Sequence, residues 1–105
     1  MNVLRRYEML LPLRFNDGQP VPEKLLAESI LEVRTKFGAG SCETQVIQGL
    51  SEHQGEVVRD PLARLFVDVA DTRENRVFFV QFKERLKQRF KQVDIWMTTY
   101  LVEVV

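Results

Sequence analysis

The sequence predicts an α+β protein in which two amphipathic helices cover one side of an antiparallel sheet. Four segments show the period-two alternation or the β-branched and aromatic content that strands favour, and two others carry apolar residues at helical spacing. They follow one another as strand, helix, strand, strand, helix and strand. Because each helix has a single apolar stripe, we expect both helices to pack on the same side of the sheet.

The first strand is predicted over Leu4–Phe15, where apolar residues fall on one side at period two. Pro12 cannot donate a hydrogen bond to a neighbouring strand, so we expect a bulge or a frayed end there. Asn16–Gly18 has the composition of a turn. The inward residues are Tyr7, Met9, Leu11, Leu13 and Phe15, and those on the other side are Arg6, Glu8, Leu10 and Arg14.

The first helix is predicted over Pro22–Phe37. Pro22 suits the first helical position, where a backbone N–H has no partner within the helix. Gly38 suits a left-handed cap after the last turn. The inward stripe consists of Leu26, Ile30, Val33 and Phe37, at helical spacing.

The central part of the chain predicts a hairpin. Cys42–Leu50 alternates incompletely, which favours an edge strand or a half-exposed one, and Ser51–Gly55 is expected to form the connection. Glu56–Arg59 is expected to continue the hairpin, and Pro61 to introduce a bulge or kink. Ala63–Ala70 is the clearest strand. Its side chains divide into two faces, with Leu65, Val67 and Val69 on one and Arg64, Phe66 and Asp68 on the other.

The second helix is predicted to begin at Asp71, which together with Glu74 imitates a capping box. The last strand is predicted over Ile95–Val104. The whole order is the split-βαβ, or ferredoxin-like, layout, which we predict as one domain over residues 1–105 with an extended central hairpin. The inward stripe of the second helix consists of Phe79, Phe82 and Leu86, with Phe90 or Val93 beyond it.

Such a sheet has one side without helices, and this side is the candidate functional surface. Its aromatic residues are expected to expose several hundred Å² of apolar area, which favours a partner that covers it. The residues predicted there are Arg64, Phe66 and Asp68 from the third strand, Trp96, Thr98, Tyr100 and Val102 from the last strand, and Glu8 and Leu10 from the first.

A second copy of the chain is the favoured partner, because two sheets packed face to face bury both patches by twofold symmetry. The predicted function is therefore a non-enzymatic, self-associating homodimer module. The alternative is a small-molecule binder or small enzyme whose pocket lies between the sheet and its partner, with His53 at its mouth. Nucleic acid is not expected, since the third strand lacks the glycines of the RNA-binding sheet motif and Asp68 repels phosphate. The residues that would line such a pocket are Arg64, Asp68, Trp96 and Tyr100.

Charged and nucleophilic residues each have a structural alternative. Arg64 or Arg59 suits an anionic ligand, and the alternative is an ion pair with Asp68 or another carboxylate across strands or subunits. His53 suits a general base or a solvated turn residue. Cys42 follows a Gly-rich segment that comes after a helix, which is the wrong order for a phosphate cradle. With one histidine and one cysteine, we predict no catalytic residue, metal or cofactor.

The segment Lys83–Lys91 is basic and suits either an anionic partner or the stabilisation of cations at a helix C-terminus. The whole chain has 15 basic and 15 acidic residues, and this balance argues against a dedicated nucleic-acid binder. Arg5 and Arg6 near the N-terminus and the short apolar runs predict neither a signal peptide nor a membrane span. We therefore expect a cytoplasmic protein.

Three stretches that cover most of the chain carry a resemblance: YEMLLPLRFNDG at Tyr7–Gly18, Gly40–Asp71 with RLFVDVAD, and FKERLKQRFKQVDIWMTTYLVEV near the C-terminus. In them the chain resembles an uncharacterised family of small bacterial proteins. The resemblance implies a ferredoxin-like domain and no catalytic residue. The wider fold includes dimeric α/β-barrel proteins, among them small monooxygenases and stress-response binders, which is a likeness of fold alone.

Overall fold

The sheet and helices are seen in a computed structural model that describes the backbone of residues 2–38, 41–53 and 56–105 and the side chains of residues 2–38 and 61–105. The predicted α+β class is confirmed, with two helices and an antiparallel sheet. In chain order the elements are β1 (Asn2–Pro12), α1 (Glu23–Phe37), β2 (Ser41–His53), β3 (Glu56–Val69), α2 (Arg73–Arg89) and β4 (Met97–Val104).

The described strands form a four-stranded sheet in the order β2-β3-β1-β4. β1 lies inside the sheet, where Tyr7 is paired with Val67 of β3 and with Thr99 of β4. β2 lies at one edge, as its incomplete alternation predicted, and β4 lies at the other. Glu56–Asp60 of β3 pair with β2 alone among the described strands, so the central hairpin extends beyond β1.

The hydrophobic core lies between the helices and the odd-numbered residues of β1 and β3. Tyr7, Met9 and Leu65 are buried on the sheet side, and Val33 and Phe79 are buried on the helices. Both helices therefore pack on the same side of the sheet, as their single apolar stripes predicted. Further core residues are Leu11, Val67, Val69, Phe82, Leu86, Phe90 and Ile95.

An aromatic cluster joins the two helices to β1. The Tyr7 ring stacks on Phe79 with a centroid separation of 3.9 Å, and Phe37 of α1 stacks on the same ring at 5.4 Å. Of the two residues that the stripe of α2 left open, Phe90 is fully buried and Val93 is 91% exposed. The chain turns away from the helix direction after Phe90, because Lys91 has a positive φ of 54°.

The strands begin and end elsewhere than predicted. β1 ends at Pro12, which lacks an N–H, and the Leu13 amide donates instead to the Pro61 carbonyl at 3.0 Å. β3 continues through Pro61 without a break, and the irregularity expected near Pro61 falls on the facing strand instead. The irregularity lies in the pairing with β2, between Glu43 and Ile47. β2 also runs three residues past Leu50, to His53.

The helix ends confirm one predicted cap and correct two. Gly38 takes the left-handed conformation, and its amide donates to the Arg34 carbonyl at 2.7 Å. Pro22 has an extended backbone and precedes α1 as its cap, so it does not occupy the first helical position. The cap of α2 is Thr72, whose hydroxyl accepts from the Asn75 amide at 3.2 Å, and Asp71 pairs with Arg5 instead.

We expect Thr72→Ala to lower the free energy of unfolding by about 1 kcal/mol, because the Asn75 amide would lose its acceptor. Urea unfolding of both proteins measures this difference. Thr35→Ala is the matched control, since Thr35 lies exposed within α1, where no cap is involved. Equal stability of the Thr72→Ala variant and the wild type would show that Thr72 does not cap the helix.

Candidate interaction surface

The side of the sheet opposite the helices carries the even-numbered residues of β1, β3 and β4, and we call it the open face. Arg6 of β1 stands between Asp68 of β3 and Tyr100 of β4, and Glu8 stands between Phe66 and Thr98. The open face consists of Leu4, Arg6, Glu8, Leu10, Arg64, Phe66, Asp68, Thr98, Tyr100 and Val102, together with Trp96 just before β4.

The first feature of the open face is a two-pronged ion pair across β1 and β3. Arg6 Nε donates to Asp68 Oδ1 at 2.7 Å, and Arg6 Nη2 donates to Asp68 Oδ2 at 2.9 Å. The fork geometry of the guanidinium matches the two carboxylate oxygens, which makes this the stronger kind of ion pair. The bond to Arg6 lowers the pKa of Asp68 and outweighs the opposing effect of burial.

The second feature is centred on Glu8. Its Oε1 accepts hydrogen bonds from the Arg64 guanidinium and, at 2.5 Å, from the Tyr100 hydroxyl. Both donors are diagonal neighbours of Glu8 across the sheet, within reach of long side chains. The bond from Arg64 is the main cause that lowers the pKa of Glu8, and the bond from Tyr100 adds to it.

Phe66 is enclosed by the cations of these two pairs. The guanidinium carbons of Arg6 and Arg64 lie 5.0 Å and 4.4 Å from the centre of its ring. These distances are within the range of cation–π attraction. Phe66 therefore contributes less than a bare ring to the apolar area expected of this face, because the two arginines that pair with Asp68 and Glu8 also lie over its ring.

The exposed aromatic area of the open face lies at its β4 side. Trp96 is 67% exposed and Tyr100 is 42% exposed. Trp96 precedes β4, but its carbonyl accepts from the Leu10 amide at 3.0 Å, so the pairing with β1 reaches it. It lies between the buried Ile95 and the core-packed Met97, and its side chain therefore projects to the side opposite the helices.

The predicted site residues meet only in part. Arg64 and Asp68 flank Phe66 as expected, and each forms an ion pair across strands, which was the structural alternative to ligand binding. His53 is the last residue of β2 and does not lie in a turn, and its side chain is outside the described set. The side chains of Arg59, Asp60 and Cys42 also lie outside the described set.

Arg6 is a charged residue of the open face that the sequence-based set omitted. It lies on the same strand face as Glu8, at period two, and Asp68 is its Cα partner across β1 and β3. The signal was the pair of opposite charges at matching positions of two predicted strands. Using it required the register between the strands, which alternation within one strand does not give.

The two carboxylates of the open face are poorly suited to act as general bases. A lowered pKa makes Glu8 and Asp68 weak bases, whereas a general base works best with a pKa near the working pH. Both carboxylates are also engaged by donors. Among the described residues, no group of three histidine, cysteine, aspartate or glutamate side chains comes together in a way that suits a metal ion.

The basic segment at the end of α2 is largely neutralised within the described part of the chain. Arg85 and Arg89 both reach Glu32 of α1, at 2.5 Å and 3.0 Å. Lys83 pairs with Asp94 at 3.1 Å, and the Lys91 ammonium lies 5.0 Å from the centre of the Phe15 ring. Most of the cations in this segment therefore have a structural role, because they hold α2 against neighbouring parts of the chain.

The sheet order and the placement of both helices define a ferredoxin-like α+β protein, and solved structures support this class. A phage SAM lyase in complex with S-methyl-5'-thioadenosine has a TM-score of 0.67 at 13% identity, over 96% of this chain and 90% of that one. The divalent cation tolerance protein CutA1 of Thermus thermophilus has a TM-score of 0.64 at 14% identity, over 97% and 86% of the two chains. CutA1 of Oryza sativa has a TM-score of 0.58 at 13% identity, over 98% and 82%.

At these identities the likeness shows the fold alone. No protein-family model matches the chain, and a comparison of its sequence with curated proteins finds no match. Neither helix in the described residues has the length and hydrophobicity that crossing a membrane requires.

Proposed function

We propose that this protein is a non-enzymatic, self-associating ferredoxin-like module of βαββαβ order, in which the open faces of two copies pack against each other. The exposure of Trp96 on that face carries the proposal. Large aromatic side chains contribute most to the energy of interfaces when a partner removes them from water. Tyr100 of β4 is a second exposed aromatic residue of the open face.

The internal pairing of charges supports burial of this face. Covering a charged group that has no partner costs on the order of several kcal/mol, because the group loses its hydration. Arg6, Asp68, Glu8 and Arg64 already hold one another within a single chain. A second sheet laid over them would therefore leave none of these four charges unpaired.

The charge balance of the face favours a second copy as the occupant. In the part of the face with described side chains, Arg6 and Arg64 contribute two positive charges, and Glu8 and Asp68 contribute two negative charges. A twofold contact places identical surfaces together, and a surface with no net charge meets no overall repulsion from its own copy. A strongly acidic or basic partner would gain little from such a face.

The alternative, a ligand held between the sheet and its partner, has less support. It requires Arg64 and Asp68 to bind the ligand, but both side chains are engaged by Glu8 and Arg6. A ligand would have to break these bonds and replace them. Burial of the intact network by a second copy requires no such exchange.

We expect light scattering at tens of micromolar to give twice the single-chain mass of 12.3 kDa for the wild type and a lower mass for Trp96→Ala. Val93→Ala is the matched control, because Val93 is 91% exposed but lies before β4 and off the open face. Its mass should equal that of the wild type. A wild-type mass of one chain throughout this range would contradict the proposal.

A further inference from the structure

A groove of about 370 Å³ lies between α2 and the first residues of β4, on the helix side of the sheet. This volume is within the range of small-molecule sites, about 300 to 1,000 Å³. Phe79, Val80 and Met97 give it an apolar lining. We propose that this groove binds a small molecule with an apolar ring and one anionic group, either a carboxylate or a phosphate.

The charges around the groove favour an anion. Lys83 pairs with Asp94 at 3.1 Å and Lys87 pairs with Glu84 at 3.2 Å, so these four groups neutralise one another. Arg76 also lines the groove, and in the part of the chain with described side chains its guanidinium has no ion-pair partner. A free guanidinium binds carboxylates and phosphates through two parallel hydrogen bonds.

Tyr7 provides a second and independent indication of a ligand. Its side chain is almost fully buried, with only 4% of the residue exposed, yet its hydroxyl has no hydrogen-bond partner among the described residues. No fully buried side-chain nitrogen or oxygen in that set lacks a partner. The hydroxyl is therefore not fully enclosed by the protein, and Tyr7 is one of the residues that line the groove.

The backbone of β4 adds polar groups along the same wall. β4 is an edge strand that pairs only with β1 among the described strands. Met97, Thr98 and Thr99 line the groove, and the free side of an edge strand carries backbone N–H and C=O groups that pair with no other strand. An apolar lining with a few polar groups and one free cation is the usual composition of a ligand site.

Phenyl phosphate, benzoate and the neutral benzyl alcohol are suitable probes. Their binding is measured by NMR titration of the full chain, from the changes in amide chemical shifts. We expect at least one of the two anions to shift the amides of Arg76, Val80 and Thr99, and to bind about ten-fold or more tightly than benzyl alcohol. Which anion binds more tightly distinguishes a phosphate ligand from a carboxylate ligand.

The variants test the two residues that carry the proposal. Arg76→Gln should weaken binding of the anion to the level of benzyl alcohol, and Tyr7→Phe should weaken it by a few-fold while keeping the stacked ring. Arg34→Gln is the control, since Arg34 is exposed on α1 and outside the groove. Should neither anion shift these amides, or should Arg76→Gln bind as the wild type does, the proposal is wrong. Both results are independent of self-association through the open face.

Discussion

Replacing Phe79 by alanine is expected to lower the free energy of unfolding by about 3–5 kcal/mol. Phe79 of α2 is 1% exposed, and its ring contacts both Tyr7 of β1 and Phe37 of α1. Its ring stacks on Tyr7 at 3.9 Å and on Phe37 at 5.4 Å, and it meets Phe78 and Phe82 edge to face. Truncation therefore removes four aromatic contacts and leaves a cavity. Urea unfolding followed by far-UV circular dichroism measures the loss.

The neighbouring residue provides the control for this prediction. Val80 is 60% exposed on the same helix, so Val80→Ala should change stability by only about 0.5 kcal/mol in either direction. Comparable losses for Phe79→Ala and Val80→Ala would contradict the position of Phe79 in the core. Such a result would also mean that Phe79 does not form the apolar wall of the groove beside β4.

Replacing Glu8 by glutamine is expected to lower the free energy of unfolding by about 1–3 kcal/mol at neutral pH. The substitution removes the charge that the Arg64 guanidinium faces, and it leaves that cation partly buried on the open face. It also weakens the acceptor of the Tyr100 hydroxyl. The estimate is below that for a fully buried ion pair, because both side chains keep about a fifth of their exposure.

The same substitution predicts a specific dependence on pH. The pKa of Glu8 is lower in the folded protein than its ordinary value of 4.5, so the ionised carboxylate stabilises the fold. This contribution is fully present above pH 4.5 and is lost as the pH falls through the lowered folded pKa. The stability difference between wild type and Glu8→Gln should therefore shrink in acid.

Urea unfolding of both proteins from neutral pH into acid measures this convergence. Glu103→Gln is the control, because Glu103 is exposed near the end of β4 and has no ion-pair partner among the described residues. Its stability should follow that of the wild type at every pH. A constant difference between wild type and Glu8→Gln across the pH range would show that ionisation of Glu8 does not stabilise the fold.

The fold class was predictable from the sequence because burial on one side leaves a periodic trace. The alternation of Leu65, Val67 and Val69 and the helical stripe of Phe79, Phe82 and Leu86 both mark buried faces, and both are confirmed. Element ends were less predictable, since they depend on single hydrogen bonds. Thr72 caps α2 because Asp71, the expected cap, is held by Arg5 of a distant strand.

The composition of the open face was predictable, but its surface chemistry was not. The period-two alternation placed Phe66 and Trp96 on the same face, and the structure agrees. The alternation does not reveal that Arg6 and Arg64 lie over the Phe66 ring, because that depends on the register of β1 against β3. The groove beside β4 was beyond prediction for the same reason, since Arg76 and Tyr7 meet only through the packing of α2 on the sheet.

The central claim is that a second copy covers the open face, and the single tryptophan of the chain reports on it directly. Trp96 is 67% exposed in one chain, so its fluorescence emission should lie at long wavelength when chains are separate. We predict emission at shorter wavelength at tens of micromolar and a shift to longer wavelength on dilution, in step with the fall in mass by light scattering. Long-wavelength emission that does not change with concentration would contradict the claim.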